Sequence, residues 1–320
     1  MIKLGLRLGF IALIVVALQF LVGQVAFRRK FRTRETLDGH LARAASVVYF
    51  GDSVIGSANG ADADKRDIAS MLQDRLPPGS VGLVDRHGYD LDTFREFVDY
   101  IARQPRKPKW VVLPINLRSF SPAWDRRPQY QGEFDKLRLR HGDLLACAWS
   151  RPLSSFKLLR LNPISPREFQ ETHVYRGSAR VGVIRDFDNP SYAVFSEEKL
   201  RNKFVLDYLY PLARNHRKLR SMLAVEEACR KAGIVPIFYV SPVDVESGTR
   251  SLGPEFRDTV AAHVELLRGL LAERKVPLLD LSSSLDAAAF DWRDRLYPNE
   301  HLKEKGRRFV ADEVARCVSP

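Results

Sequence analysis

Cysteine is scarce in this sequence. Cys147, Cys229 and Cys317 are the only three in 320 residues. They are widely separated and odd in number, which excludes a disulfide framework and any paired-cysteine metal motif and leaves the compartment unread. Zinc-finger spacing, an aromatic RNP-like strand and a helix-turn-helix pattern are also missing. The formal net charge of +12, from 51 Lys and Arg against 39 Asp and Glu, therefore comes without a nucleic-acid module. Charge alone points to an anionic partner, whether nucleic acid, lipid head groups or an acidic polymer. No internal repeat or low-complexity tract interrupts the chain.

What is present is ordinary globular material, 45% hydrophobic and 28% charged, enough to bury a core in one large α/β domain or two smaller ones. The one long apolar run stands at the start. From Leu8 to Phe27 no residue is charged, and about twenty residues of helix match the ~30 Å of a bilayer core. A cleaved signal peptide is the rival, but a cut after Ala26 would put Gln24 where a small residue is needed. The run is read as a transmembrane helix. Lys3 and Arg7 precede it, and Arg28, Arg29, Lys30, Arg32 and Arg34 follow. By the positive-inside rule that heavier downstream cluster favours a cytoplasmic body. The expected organisation is a tail at 1–7, a span at 8–27, a basic tether at 28–45 and a domain at 46–320.

Within the domain, strand and helix alternate. Strands are expected at Val47 to Phe50, Val81 to Val84, Trp110 to Leu113, Ile234 to Val240 and Val276 to Leu281. Helices are expected at Asp64 to Leu76, Tyr89 to Gln104, Lys203 to Ala232 (kinked at Pro211), Glu255 to Glu273 and Leu302 to Cys317, the last with Val310, Val314 and Cys317 inward. Such alternation implies a parallel sheet with right-handed crossovers, in a three-layer α/β/α sandwich of five strands. Between 119 and 202 the pattern is lost among Pro122, Pro128, Pro152, Pro163, Pro166 and Pro190, apart from a helix around Leu137 to Ala148. This is an insertion of the length used for lids and binding loops. Trp124 and Trp149 within it suit packing better than sugar stacking.

The chemistry-bearing residues stand at strand ends, where an open α/β sheet presents its reactive groups. Gly51-Asp52-Ser53 closes the first strand, Asp85-Arg86-His87-Gly88 the second and Pro114-Ile115-Asn116 the third, and His301 follows the fifth. A serine nucleophile needs a base, oxyanion donors and usually an acid that orients the base. Ser53 and His301 suit the first two roles of nucleophile and base, which suggests a serine hydrolase or acyltransferase. The N–H groups of Ser53 and Gly88 and the Asn116 amide suit the oxyanion. Each segment read alone is also an ordinary polar turn. Asp52 and Asp85 lack a third carboxylate in register for a metal.

The order Ser, Gly, Asn, His over successive loops resembles the SGNH (GDSL) hydrolase family. Gly51-Asp52-Ser53-Val54 is similar to its nucleophile block, Gly88 and Asn116 to its two oxyanion positions, and His301 with Gly306 to the end of its last block. The resemblance covers about residues 46 to 118 and 233 to 317. It implies a flavodoxin-like sandwich, an acyl-enzyme on Ser53 and neither metal nor cofactor. Together with the apolar N-terminus and the insertion, the chain also resembles envelope members such as D-alanine transfer proteins and polysaccharide O-acetyltransferases. That likeness implies a membrane-anchored body on the outer side of a bacterial inner membrane. It would act on an acylated polysaccharide or lipid-linked substrate, with envelope proteins as partners and no nucleic acid.

The sequence departs from the family at two points. Pro114 stands where the asparagine block has glycine, and Pro298 where the triad aspartate is usual. Asp294, or Asp291 on the same loop, is left to reach the histidine; Glu300, next to His301, points away from it. A Ser–His dyad held by a backbone carbonyl is the alternative, as is a non-catalytic protein that binds an acyl donor or polymer.

Overall fold

A computed structural model describes residues 2–28, 32–56, 58–125, 135–136, 139, 197–292 and 300–318. Its centre is a five-stranded sheet of β1 (Val47–Gly51), β2 (Val81–Asp85), β3 (Trp110–Ile115), β4 (Val235–Val240) and β5 (Leu278–Asp280). Every pairing is parallel and the order is β2-β1-β3-β4-β5. All of β1 is buried and all but the first residue of β3. These two central strands are near-continuous apolar runs because both of their faces are covered. The order reverses between β1 and β3, so the crevice outside their carboxyl ends is the place where such sheets bind ligands.

Helices cover both faces. α4 (Ile68–Gln73) and α11 (Glu304–Val318) pack together on one side. α5 (Leu91–Ala102), α8 (Arg217–Ala232) and α10 (Pro254–Ala272) lie on the other. Phe50 of β1 stacks on Phe94 of α5 with ring centroids 5.5 Å apart. Asp90 caps α5 by accepting from the Thr93 N–H, which satisfies one of the orphan donors of the first turn.

Several elements differ from the sequence expectation. The stretch read as a basic tether contains a helix, α2 (Arg32–Ala42), with Leu37 and Leu41 buried. It lies on edge strand β2, where His40 Nε2 stands 3.0 Å from the Leu83 carbonyl, and so covers an exposed edge. The expected helix at 64–76 shrinks to α4, because Asp67 caps it at Ser70 and the preceding carbonyls are claimed by Arg307. After the short helix α6 (Pro122–Asp125), the long helix expected at 203–232 is two, α7 (Glu197–Tyr208) and α8, with Pro211 in the break. At the end of α11 it is Val318 that is buried, while Cys317 is exposed. α9 (Val245–Leu252) was not expected, and the expected helix at 137–148 lies outside the described residues except for buried Leu139.

The N-terminal run forms one 27-residue helix, α1 (Ile2–Arg28). Its described apolar side chains, including Leu6, Phe10, Leu13 and Val16, are exposed. The side chains of the expected span beyond Leu18 lie outside the described residues. Within the residues whose side chains are described, which stop at Leu18 in this helix, no helix is long and apolar enough to cross a membrane.

Candidate active site

The turn after β1 is tight. Asp52 accepts from the Val54 N–H at 2.8 Å through its own carboxylate, an Asx turn that opens the short helix α3 (Ser53–Gly56). A Cβ on Gly51 would stand 2.9 Å from the Cβ of Ile55, so the close return of this turn requires glycine. Ser53 is thereby held half-buried at the carboxyl end of β1. Gly88 follows β2 with φ +81°, a conformation that disfavours any side chain. Asn116 follows β3, caps the 3₁₀ turn Leu117–Phe120 by accepting from the Arg118 N–H at 3.2 Å, and is buried.

His301 arrives differently. The chain after β5 folds back on itself, and Phe290 and Leu302 form an antiparallel bridge. The Asp291 N–H donates to the His301 carbonyl at 2.8 Å and the Lys303 N–H to the Ala289 carbonyl at 2.9 Å. Asp291 and His301 are therefore opposite one another on this two-stranded ribbon. Opposed residues share a face, with Cβ atoms about 5 Å apart. Asp291 is fully buried, and its Oδ1 accepts from the Nδ2 of Asn59. Asp294 and Pro298 lie outside the described residues.

Two sets of contacts join the serine loop to the histidine loop. The first runs through the residues that immediately precede Ser53 and His301. Asn116 Nδ2 is 3.2 Å from Asp52 Oδ2 and 3.5 Å from Glu300 Oε1. Arg118 pairs through Nη1 with Glu300 Oε1, and its Nη2 is 3.9 Å from Asp52 Oδ2. The second runs through the segment downstream of α3. Asn59 reaches Asp291, and buried Arg307 donates to Asp62 at 2.7 Å and to the Leu302 carbonyl at 2.9 Å. The loops that carry Ser53, Asn116 and His301 are thus joined by two sets of polar contacts. Gly88 belongs to the same sheet edge.

The electrostatics follow from burial. Desolvation pushes the Glu300 carboxyl above its ordinary range, and Arg118 offsets that only in part. Glu300 is held by Arg118 through Oε1. Burial also raises Asp85, with the neighbouring Asp67 adding to the effect. Among the described residues no three His, Cys, Asp or Glu side chains are grouped to hold a metal ion.

Sequence reading missed the partners of these residues. Arg118 stacks on Trp124, with the guanidinium carbon 4.2 Å from the ring centroid, so that tryptophan packs within the protein. Trp149 lies outside the described residues. Asp135, from within the insertion, is buried against Arg86 at 3.0 Å and the Tyr89 hydroxyl at 2.8 Å. The insertion therefore touches the loop that carries Gly88. No periodicity announces such contacts, because they join residues far apart in the chain.

No family model and no curated protein matches this sequence. Among solved structures, three variants of Axe2, an acetylxylan and acetyl-xylooligosaccharide esterase from Geobacillus stearothermophilus, are similar to this chain. Identity is 14%, TM-scores are 0.36 to 0.37, and coverage is 84% of this chain and 92% of theirs. A likeness at that level carries no weight for function. The strand order and the polar contacts are properties of this chain itself.

Proposed function

We propose that this chain is a serine esterase or O-acyltransferase of the SGNH type. It works through an acyl-Ser53 intermediate on a small acyl group carried by an envelope polymer or lipid-linked glycan. The observation that supports it most is the tie between the two loops: Asp52 and Glu300, the residues before Ser53 and His301, share the Asn116 amide. Two groups some 250 positions apart in sequence are brought to one sheet edge, beside the point where strand order reverses.

In this reading His301 Nε2 takes the Ser53 hydroxyl proton as Oγ bonds to the acyl carbon. The tetrahedral oxyanion rests on the N–H groups of Ser53 and Gly88. As it collapses, the ester bond breaks and His301 returns the proton to the departing hydroxyl. Water or a sugar hydroxyl then attacks the acyl-enzyme by the same steps in reverse. Asp291, opposite His301, is assigned the acid that holds the ring through Nδ1–H, in place of the missing aspartate at Pro298. Asn116 joins the oxyanion donors by rotating its whole amide, a movement that gives up the longer of its two contacts, the one to Glu300. α1 is assigned as a membrane anchor on its uncharged run from Leu8 to Phe27. The body is placed outside the cytoplasmic membrane, against the bias of the basic flank. A C-terminal alkaline phosphatase fusion tests this, since it is active only outside.

The test of the chemistry is an active-site fluorophosphonate on the full chain. Labelling that Ser53→Ala and His301→Ala both abolish supports the reading; equal labelling of Ser53→Ala refutes it. A second reading, a non-catalytic protein binding an acyl donor or polymer, draws on one observation. Both Asn116 amide hydrogens are directed at buried carboxylates. It expects polymer binding with no p-nitrophenyl acetate turnover above the Ser53→Ala background.

A further inference from the structure

Arg118 is 5% exposed and its described carboxylate partners are the residues that precede the proposed nucleophile and base. One end of its guanidinium holds Glu300, which precedes His301, and the other faces Asp52, which precedes Ser53. Asn116 joins the same two carboxylates from β3. Described residues on either side of the insertion's undescribed stretch lie near this group. The Trp124 ring centroid is 4.2 Å from the Arg118 guanidinium carbon. Beyond the insertion α7 supplies Lys203 and Asp207, an ion pair at 3.5 Å, and Tyr208, all buried. The charges of Asp207 and Lys203 are felt at Glu300, and that of Glu300 at Tyr208.

We infer that Arg118 is a positioning residue, the clamp that sets the separation of Ser53 from His301, and that Trp124 and α7 help to keep the clamp dry. The inference rests on the proposed acyl chemistry at Ser53. An arginine suits the role because its planar fork addresses two carboxylates at once and stays charged when buried. Lysine offers a single point charge, so it can hold Glu300 or Asp52 but not fix the distance between them. Burial makes the clamp stiff, since charges shielded from water attract more strongly than exposed ones.

The role separates from plain structural support by a paired replacement. Removing Arg118 alone strands buried Glu300 and destabilises the fold, whereas replacing a buried pair by apolar side chains of similar volume is often neutral or stabilising. R118M/E300M therefore recovers a cooperative thermal melt without recovering geometry. Misplacement of about 1 Å at a reacting pair costs on the order of 10²-fold. The expected result is a fall of that order in kcat on p-nitrophenyl acetate and in the fluorophosphonate labelling rate. It holds for R118K and for R118M/E300M, with KM changed by less than about 2-fold. A folded R118K or R118M/E300M with wild-type kcat overturns the clamp. So does loss of cooperative melting in both, which makes Arg118 a structural residue. Wild-type protein that is never labelled at Ser53 removes the acyl reading itself and the clamp with it.

Discussion

Asp291→Asn is the sharpest test of the site, because the change is almost isosteric and its effects on fold and on catalysis separate. Asp291 is fully buried, opposite His301 on the ribbon, and its Oδ1 accepts from Asn59 Nδ2. An asparagine keeps an oxygen for that contact, so the stability cost is one weakened hydrogen bond, about 1 kcal/mol. The catalytic cost is different in kind. An amide cannot stabilise an imidazolium and leaves the ring free to adopt the wrong tautomer. In serine proteases the equivalent change lowers kcat about 10⁴-fold, which corresponds to roughly 5.5 kcal/mol of transition-state stabilisation. The assay is p-nitrophenyl acetate turnover beside a thermal melt, on D291N, H301A and the double variant. Residues that act as a unit are non-additive, so the double should be no slower than H301A. If D291N melts near the wild type and keeps more than about a tenth of wild-type kcat, Asp291 orients nothing, and the role passes to Asp294 or to a backbone carbonyl.

Two other outcomes follow from single contacts. Gly51→Ala puts a methyl 2.9 Å from Ile55 Cβ. An overpacked site of this kind costs about 1–3 kcal/mol, and Ser53 is displaced with the turn, so both the melt and the labelling rate should fall. G51A/I55A should recover most of the stability. An unchanged melting temperature in G51A would show that the turn relaxes freely. His263 is buried, its Nε2 hydrogen-bonded to the Tyr210 carbonyl, and burial depresses its pKa to about 4 against 6.5 when free. The native state then binds fewer protons than the unfolded chain between those values, so stability is lost as pH falls from about 6.5 to about 4. The loss has an upper bound near 3 kcal/mol. H263Q keeps a donor for Tyr210 and should flatten that limb of a urea-midpoint against pH curve; an equally steep limb would assign the acid sensitivity elsewhere.

The five strands were legible because each is a short apolar run with turn residues after it, and a fully covered parallel strand needs little else. For the same reason the loops after β1, β2 and β3 could be placed together at the carboxyl edge of the sheet. α2 was not, because Leu37 and Leu41 are its only buried residues and the rest of it, Gly39 and Ala42 apart, is charged or polar. Asp64 to Asp67 was misjudged because the signal lay elsewhere: Arg307, in a basic run that reads as surface, is fully buried and takes the carbonyls of Asp64 and Arg66.

The candidate acids came from spacing alone. Likeness directed attention to Pro298 and then to Asp294 or Asp291 on the same loop, and of these Asp291 is the one that the bridge between Phe290 and Leu302 sets across the backbone from His301. Spacing along the chain says how far apart two residues stand; a ladder says which backbone positions oppose one another. That is why Asp291 is the first carboxylate to replace, and why the pH profile and melt of D291N bear on the proposed base directly.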